Sequence, residues 1–124
     1  MIPRFYPRVQ VKASASIIGC GFTGDGTVLD VTVPGCLLES RLPVRKGDSL
    51  TLRVAIPQVR ATFLVARAVV RWVDGLRFGV EFIEMQPKER LRYNATVDSL
   101  LQQQAPRSTQ QQDRADWYFA DDAA

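Results

Sequence analysis

At 124 residues the chain is one domain by length, large enough for a core of its own but not for two. Apolar residues make up 46% and charged residues 23%, the mix of a soluble globular protein. Its longest apolar runs are broken by arginine, aspartate or proline, so no transmembrane helix fits and no membrane insertion is expected.

Histidine is absent, which removes the usual general base, the usual catalytic triads and most transition-metal sites. Cys20 and Cys36 alone cannot complete a structural zinc site, and each follows a glycine in a loop-like context, where a small reduced residue is expected. Glu81 and Glu84 lie in a short charged segment and read as a solvated face rather than an acid–base pair. The expectation is a binding protein and not an enzyme, with no metal and no cofactor. The N-terminus lacks the long apolar stretch of a secretory signal, so the cytoplasm is the expected compartment.

Charge is unevenly spread. Residues 105–124 hold two arginines and four aspartates, which leaves 14 of the 16 basic and 9 of the 13 acidic side chains in residues 1–104. A net charge of +5 on the body against −2 on the tail points toward an anionic partner, although scattered surface arginines also serve solubility.

In chain order, Val9, Val11, Ala13 and Ala15 alternate with polar residues at the period of a half-buried strand. Gly19, Gly21, Gly24 and Gly26 follow; without a Gly-Lys-Ser/Thr ending or a following helix they read as a hairpin turn, not a phosphate loop. Thr27 to Val33 is the next strand, with Leu29, Val31 and Val33 expected inward and Val28, Asp30 and Thr32 on the other face. Pro34-Gly35 ends it, and Cys36 to Glu39 returns.

Ser49 to Ile56 alternates cleanly, with Leu50, Leu52, Val54 and Ile56 inward. Ala61 to Val73 is apolar on both faces and long enough to bend around a barrel. Phe78, Val80 and Phe82 point inward on the last strand. Pro87 suits a first helical position, and Tyr93, Val97, Leu100 and Leu101, with Leu91 and Ala95 beside them, form a helical stripe fit to plug one barrel end.

The expected architecture is all-β: a small antiparallel barrel of six or seven strands with one C-terminal α-helix over residues 1–104. Residues 105–124 form an expected disordered tail, acidic and glutamine-rich, in which Trp117-Tyr118-Phe119 reads as a docking element.

Two features carry chemistry. Arg4-Phe5-Tyr6-Pro7-Arg8 is an extended arm framed by guanidinium groups, held out of a helix by Pro3 and Pro7 and expected to be mobile when empty. Asp30-Val31-Thr32-Val33-Pro34-Gly35 offers a carboxylate, a hydroxyl and a glycine that permits close backbone approach. A guanine base presents donors at N1 and N2 suited to a carboxylate, and acceptors at O6 and N7 suited to an arginine fork. Arginine also stacks on base planes and pairs with phosphate.

This pairing of motifs resembles the PilZ domain, the bacterial receptor module for cyclic di-GMP. That family's signature is Arg-x-x-x-Arg followed by Asp/Asn-x-Ser-x-x-Gly, with Thr32 here in place of the usual serine. Arg71-Trp72-Val73, Phe78-Gly79-Val80-Glu81-Phe82 and the helix after them are similar to its closing elements. The resemblance implies a cyclic di-GMP effector in which Arg4 and Arg8 hold guanine and phosphate while Asp30, Thr32 and Gly35 read the ligand from the barrel. It further implies a downstream protein partner, reached when ligand orders the arm, with outputs such as motility or biofilm regulation. Two rivals remain open: an adaptor that no longer binds nucleotide, and a basic barrel for single-stranded nucleic acid. The second is disfavoured, because no strand carries several exposed aromatics in register.

Overall fold

The structure is a computed structural model that describes residues 6–104. Among them, six strands close into an antiparallel barrel and one α-helix follows. The strands are β1 (Val9–Gly19), β2 (Phe22–Thr32), β3 (Gly35–Glu39), β4 (Ser49–Ile56), β5 (Ala61–Asp74) and β6 (Arg77–Glu84), and the helix is α1 (Pro87–Gln103). Around the barrel the order is β1-β2-β3-β6-β5-β4, with β4 returning to pair with β1. This is the expected barrel with its C-terminal helix. The arm residues 1–5 and the tail from residue 105 lie outside the described residues.

The strands form where the period-2 pattern is cleanest. In β4 all four alternate apolar residues, Leu50, Leu52, Val54 and Ile56, are buried. In β6, Phe78, Val80 and Phe82 face the core as expected. The glycine cluster contains a tighter turn than expected. β1 runs on to Gly19, Cys20 and Gly21 make the reversal with Gly21 at φ 87°, and Gly24 and Gly26 lie inside β2. A Cβ at Gly26 would sit 3.0 Å from the Glu39 carbonyl and the Ile17 side chain, so the hairpin can close against β3 only at a small residue.

β2 departs from simple alternation. Pairing with β3 skips from Val28–Leu38 to Asp30–Leu37, and pairing with β1 skips from Gln10–Asp30 to Ala13–Val28. A bulge at Leu29 therefore turns both Val28 and Val31 into the core, while Leu29 leaves it. The expected inward set of Leu29, Val31 and Val33 is corrected: Val28 replaces Leu29, and Val33 sits in the β2–β3 turn, only partly buried against the core. β5 shifts phase in the same way. Phe63 and Val65 face inward, then Ala68 and Val70, with register breaks at Arg67–Ala68 and Val70–Trp72; the strand bends there.

Helix α1 begins at Pro87, as its missing N–H allows, and buries Tyr93, Val97 and Leu100 against one end of the barrel. Leu91 falls off this stripe and is exposed. The Tyr93 ring meets Phe63 and Phe82 edge-on, with centroids 5.4 and 5.2 Å away. Its hydroxyl lies 2.7 Å from the Thr32 carbonyl oxygen and 3.1 Å from that of Gly35, donating into the β2–β3 turn. Arg90 donates to the Val33 and Phe82 carbonyls at 3.2 Å each. The helix is thus fastened to the turn that ends β2. Tyr93→Phe keeps the ring packing but leaves these buried acceptors with less to bond, so the fold should lose about 1–3 kcal/mol of unfolding free energy in urea denaturation.

Candidate functional site

The site forms on the outer face of the barrel where β1, β2 and β3 meet. Val9 pairs with Val31 and Gln10 with Asp30, so Arg8, one residue before β1, is delivered beside Asp30 by the strand register itself. Arg8 Nη1 donates to Asp30 Oδ2 at 3.1 Å across 22 residues of sequence. Both side chains are nearly buried, at 10% and 7% exposure, so solvent screens this pair weakly. Arg8 Nε is buried with no hydrogen-bond partner among the described residues.

An open groove of about 850 Å³ runs along this pair. Its apolar floor is Val11, Leu29 and Leu37; Leu29 arrives through the β2 bulge. Its charged rim is Arg8, Lys12, Asp30 and Arg77, and amide side chains from Gln10, Gln58, Gln103 and Gln104 complete it. Gln104 Nε2 also donates to the Gln10 carbonyl at 3.2 Å, so the C-terminal end of α1 borders the groove.

Burial pushes the Asp30 carboxyl above its ordinary value of 3.8, while the positive charges of Arg8 and then Arg77 pull it back. Burial likewise raises the Cys36 thiol and the Tyr93 hydroxyl, so both are neutral near neutral pH. Cys20 and Cys36 are both free, the first exposed and the second in the core. Glu81 and Glu84 pair with arginines on the outer face, Glu81 with Arg71 at 2.7 Å and Glu84 with Arg67 at 3.9 Å.

Of the five residues expected to form the site, the structure brings two together, Arg8 and Asp30. Arg4 lies outside the described residues. Thr32 does not line the groove. It is fully buried, and its hydroxyl accepts from the Gly35 N–H at 3.2 Å and lies 3.3 Å from the Gly35 carbonyl oxygen. Gly35 is packed against β6: a Cβ there would sit 2.0 Å from the Val80 carbonyl oxygen. The close approach that needs this glycine is made by a neighbouring strand. Thr32 and Gly35 therefore build the hairpin that fixes Asp30 and do not line the groove. The last residue of the arm, Arg8, is held where the first β1 pairing fixes its backbone and a buried carboxylate attracts its charge.

Sequence reasoning missed Lys12, Gln10, Gln58, Arg77 and the two glutamines at the end of α1. They come from four separate segments and share no local motif. The usable signal was cross-strand: once the first two strands pair, Gln10 lies opposite Asp30.

A β-barrel closed by a C-terminal helix, with an arginine from the N-terminal arm paired to an aspartate near the end of β2, defines a class of small ligand-binding regulatory modules. The PilZ domain family model matches residues 3–99, and the chain belongs to the PilZ domain family, a family of cyclic di-GMP receptors. The fold is similar to that of the Bacillus subtilis inhibitor of motility MotI/DgrA, with a TM-score of 0.65 and 18% identity over 86% of this chain and 54% of that one. It is also similar to the PilZ domain of CeSA from a cellulose synthesizing bacterium, with a TM-score of 0.61 and 10% identity over 75% of this chain and 96% of that one. The chain spans about half the length of MotI/DgrA, and at these identities the likeness is one of fold. No curated protein gives a significant match. No helix among the described residues is long and apolar enough to cross a membrane.

Two outcomes follow from the geometry. Because the Asp30 carboxyl is raised in the folded state, its contribution to stability is greatest below the unfolded value and is lost as pH rises through the folded one. Arg8→Ala removes the stronger of the two opposing charges and raises it further. The stability deficit of that variant against wild type should therefore widen as pH rises above the ordinary carboxylate value of 3.8 in urea titrations. Gly35→Ala, measured with no ligand present, should lower stability by about 1–3 kcal/mol or more, since β3 or β6 must move to admit the methyl group.

Proposed function

We propose that this chain is a cytoplasmic cyclic di-GMP effector, a binding module rather than an enzyme, that couples ligand occupancy to a partner protein. The observation that carries the reading is the Arg8–Asp30 pair at the edge of an apolar-floored groove, in a chain of the PilZ family. Leu29, partly exposed on the groove, offers an apolar contact for a purine plane, and Asp30 and Arg8 offer the acceptor and the fork that suit the donor and acceptor edges of guanine. A role as an enzyme has no support from the site, which holds one carboxylate tied to an arginine in a chain without histidine. The two unbridged cysteines suit a reducing compartment.

Arg4 joins the ligand from the arm on this reading, while Thr32 and Gly35 act by holding the turn that presents Asp30. The response is assigned to the arm upstream of Arg8: ligand that binds better to the closed arrangement shifts the population toward it and creates a new surface for the partner. A motility output is one option the MotI/DgrA likeness offers, since that protein's name describes an inhibitor of motility.

Isothermal titration with cyclic di-GMP, with GTP and cyclic GMP as controls, tests the assignment. Wild type should bind the cyclic dinucleotide selectively. Asp30→Asn, which keeps the side-chain shape, and Arg8→Gln should each weaken binding by roughly 10- to 100-fold, the loss of a hydrogen bond to a charged group. Circular dichroism should show both variants folded. Binding at wild-type strength by both folded variants overturns the site, and no heat from wild type favours an adaptor that works through protein contacts alone.

A further inference from the structure

We infer that Lys12 and Arg77, two cations outside both sequence motifs, supply the charge that matches the phosphodiesters of the ligand. The inference rests on the cyclic di-GMP reading and deepens it. A cyclic dinucleotide carries two phosphodiester negative charges. Arg8 is already committed to Asp30 at 3.1 Å, and the two formal charges cancel, so this pair offers the ligand hydrogen-bonding edges more than net charge. Among the described residues, the remaining charged side chains on the groove are Lys12 and Arg77, both positive.

Their placement follows from the backbone. The β1–β2 register jumps between Gln10 and Ala13, so Val11 and Lys12 together face Leu29. β1 keeps its alternation across that irregularity, so Lys12 shares the outer face with Gln10 and lines the groove that holds Asp30. Arg77 opens β6 and lies opposite Glu39 on β3. It lines the same groove from the other side, and its charge is felt at Asp30.

Both are available to a ligand. Lys12 is exposed and forms no ion pair among the described residues. Arg77 meets Glu39 at 3.2 Å, but both side chains are about half exposed, so that pair is weak and readily exchanged for phosphate. The groove thus divides its work: the buried pair reads the base, and the two rim cations neutralise the backbone between the bases.

The test is titration of cyclic di-GMP over a salt series with wild type, Lys12→Gln, Arg77→Gln, the double variant and Arg77→Lys. Each single glutamine variant should weaken binding by about 3- to 10-fold at low salt, and the double variant by about 10- to 50-fold. The double variant should also show a shallower salt dependence than wild type, because two of the screened charges are gone. Arg77→Lys should stay within about threefold of wild type, since it keeps the charge. Unfolding midpoints should be unchanged for all of them. Wild-type affinity and salt slope in the double variant, or Arg77→Lys as weak as Arg77→Gln, overturns the inference and leaves the Arg8–Asp30 reading intact. Absence of binding by wild type overturns both.

Discussion

A carboxylate held nearly out of water is the constraint around which this molecule is arranged. Asp30 lies between Leu29, which the bulge turns out of the core, and the buried Val31, so its side chain leaves beside Leu29 on the outer surface. Burial makes its negative charge costly, and the nearest compensation comes from Arg8, which β1 carries into place by pairing Val9 with Val31. An isolated buried pair of this kind contributes little net stability, because desolvation offsets attraction. The pair suits the proposed role, in which the two groups together face a planar, hydrogen-bonding ligand.

Everything that holds the pair also shapes the groove. The β2 bulge that turns Val28 inward pushes Leu29 outward to floor the groove, and the alternation of β1 sets Lys12 beside Gln10 on its rim. The β2–β3 turn is fixed from three sides: by the Thr32 hydroxyl, by the fit of Gly35 against Val80, and by Tyr93 and Arg90 from α1. Thr32 and Gly35 are thereby positioning residues, whose effect reaches the groove through Asp30. The helix that plugs the barrel also touches the groove's border at Gln104, so the barrel end and the groove share one element.

The barrel was legible in the sequence where alternation is strict and the turn residues are strong. β4 and β6 were read residue by residue, because no bulge interrupts their inward faces. The phase of β2 was not legible: Val28-Leu29-Asp30-Val31 supports two inward patterns, and only pairing with β1 and β3 selects between them. β5 hid its bend for the same reason, since both faces are apolar. In the site, the sequence pointed to Arg8 and Asp30 because their chemistry is local to two short motifs. It assigned Thr32 and Gly35 to ligand contact, although the demand for a small, unbranched backbone at Gly35 comes from Val80, 45 residues downstream. Lys12 and Arg77 were invisible as site residues because a rim assembled from separate strands has no spacing to recognise.

The Arg8 guanidinium offers the most direct test of the account. Its Nε–H is buried without a partner among the described residues, beside the pair proposed to read guanine. In a 15N-labelled full chain, the Arg8 Nε–H resonance, assigned by its loss in Arg8→Gln, should shift on adding cyclic di-GMP and stay in place on adding GTP. A cyclic di-GMP complex that forms while this resonance does not move would contradict the account, since the ligand would then be bound away from the one pair on which the groove is built.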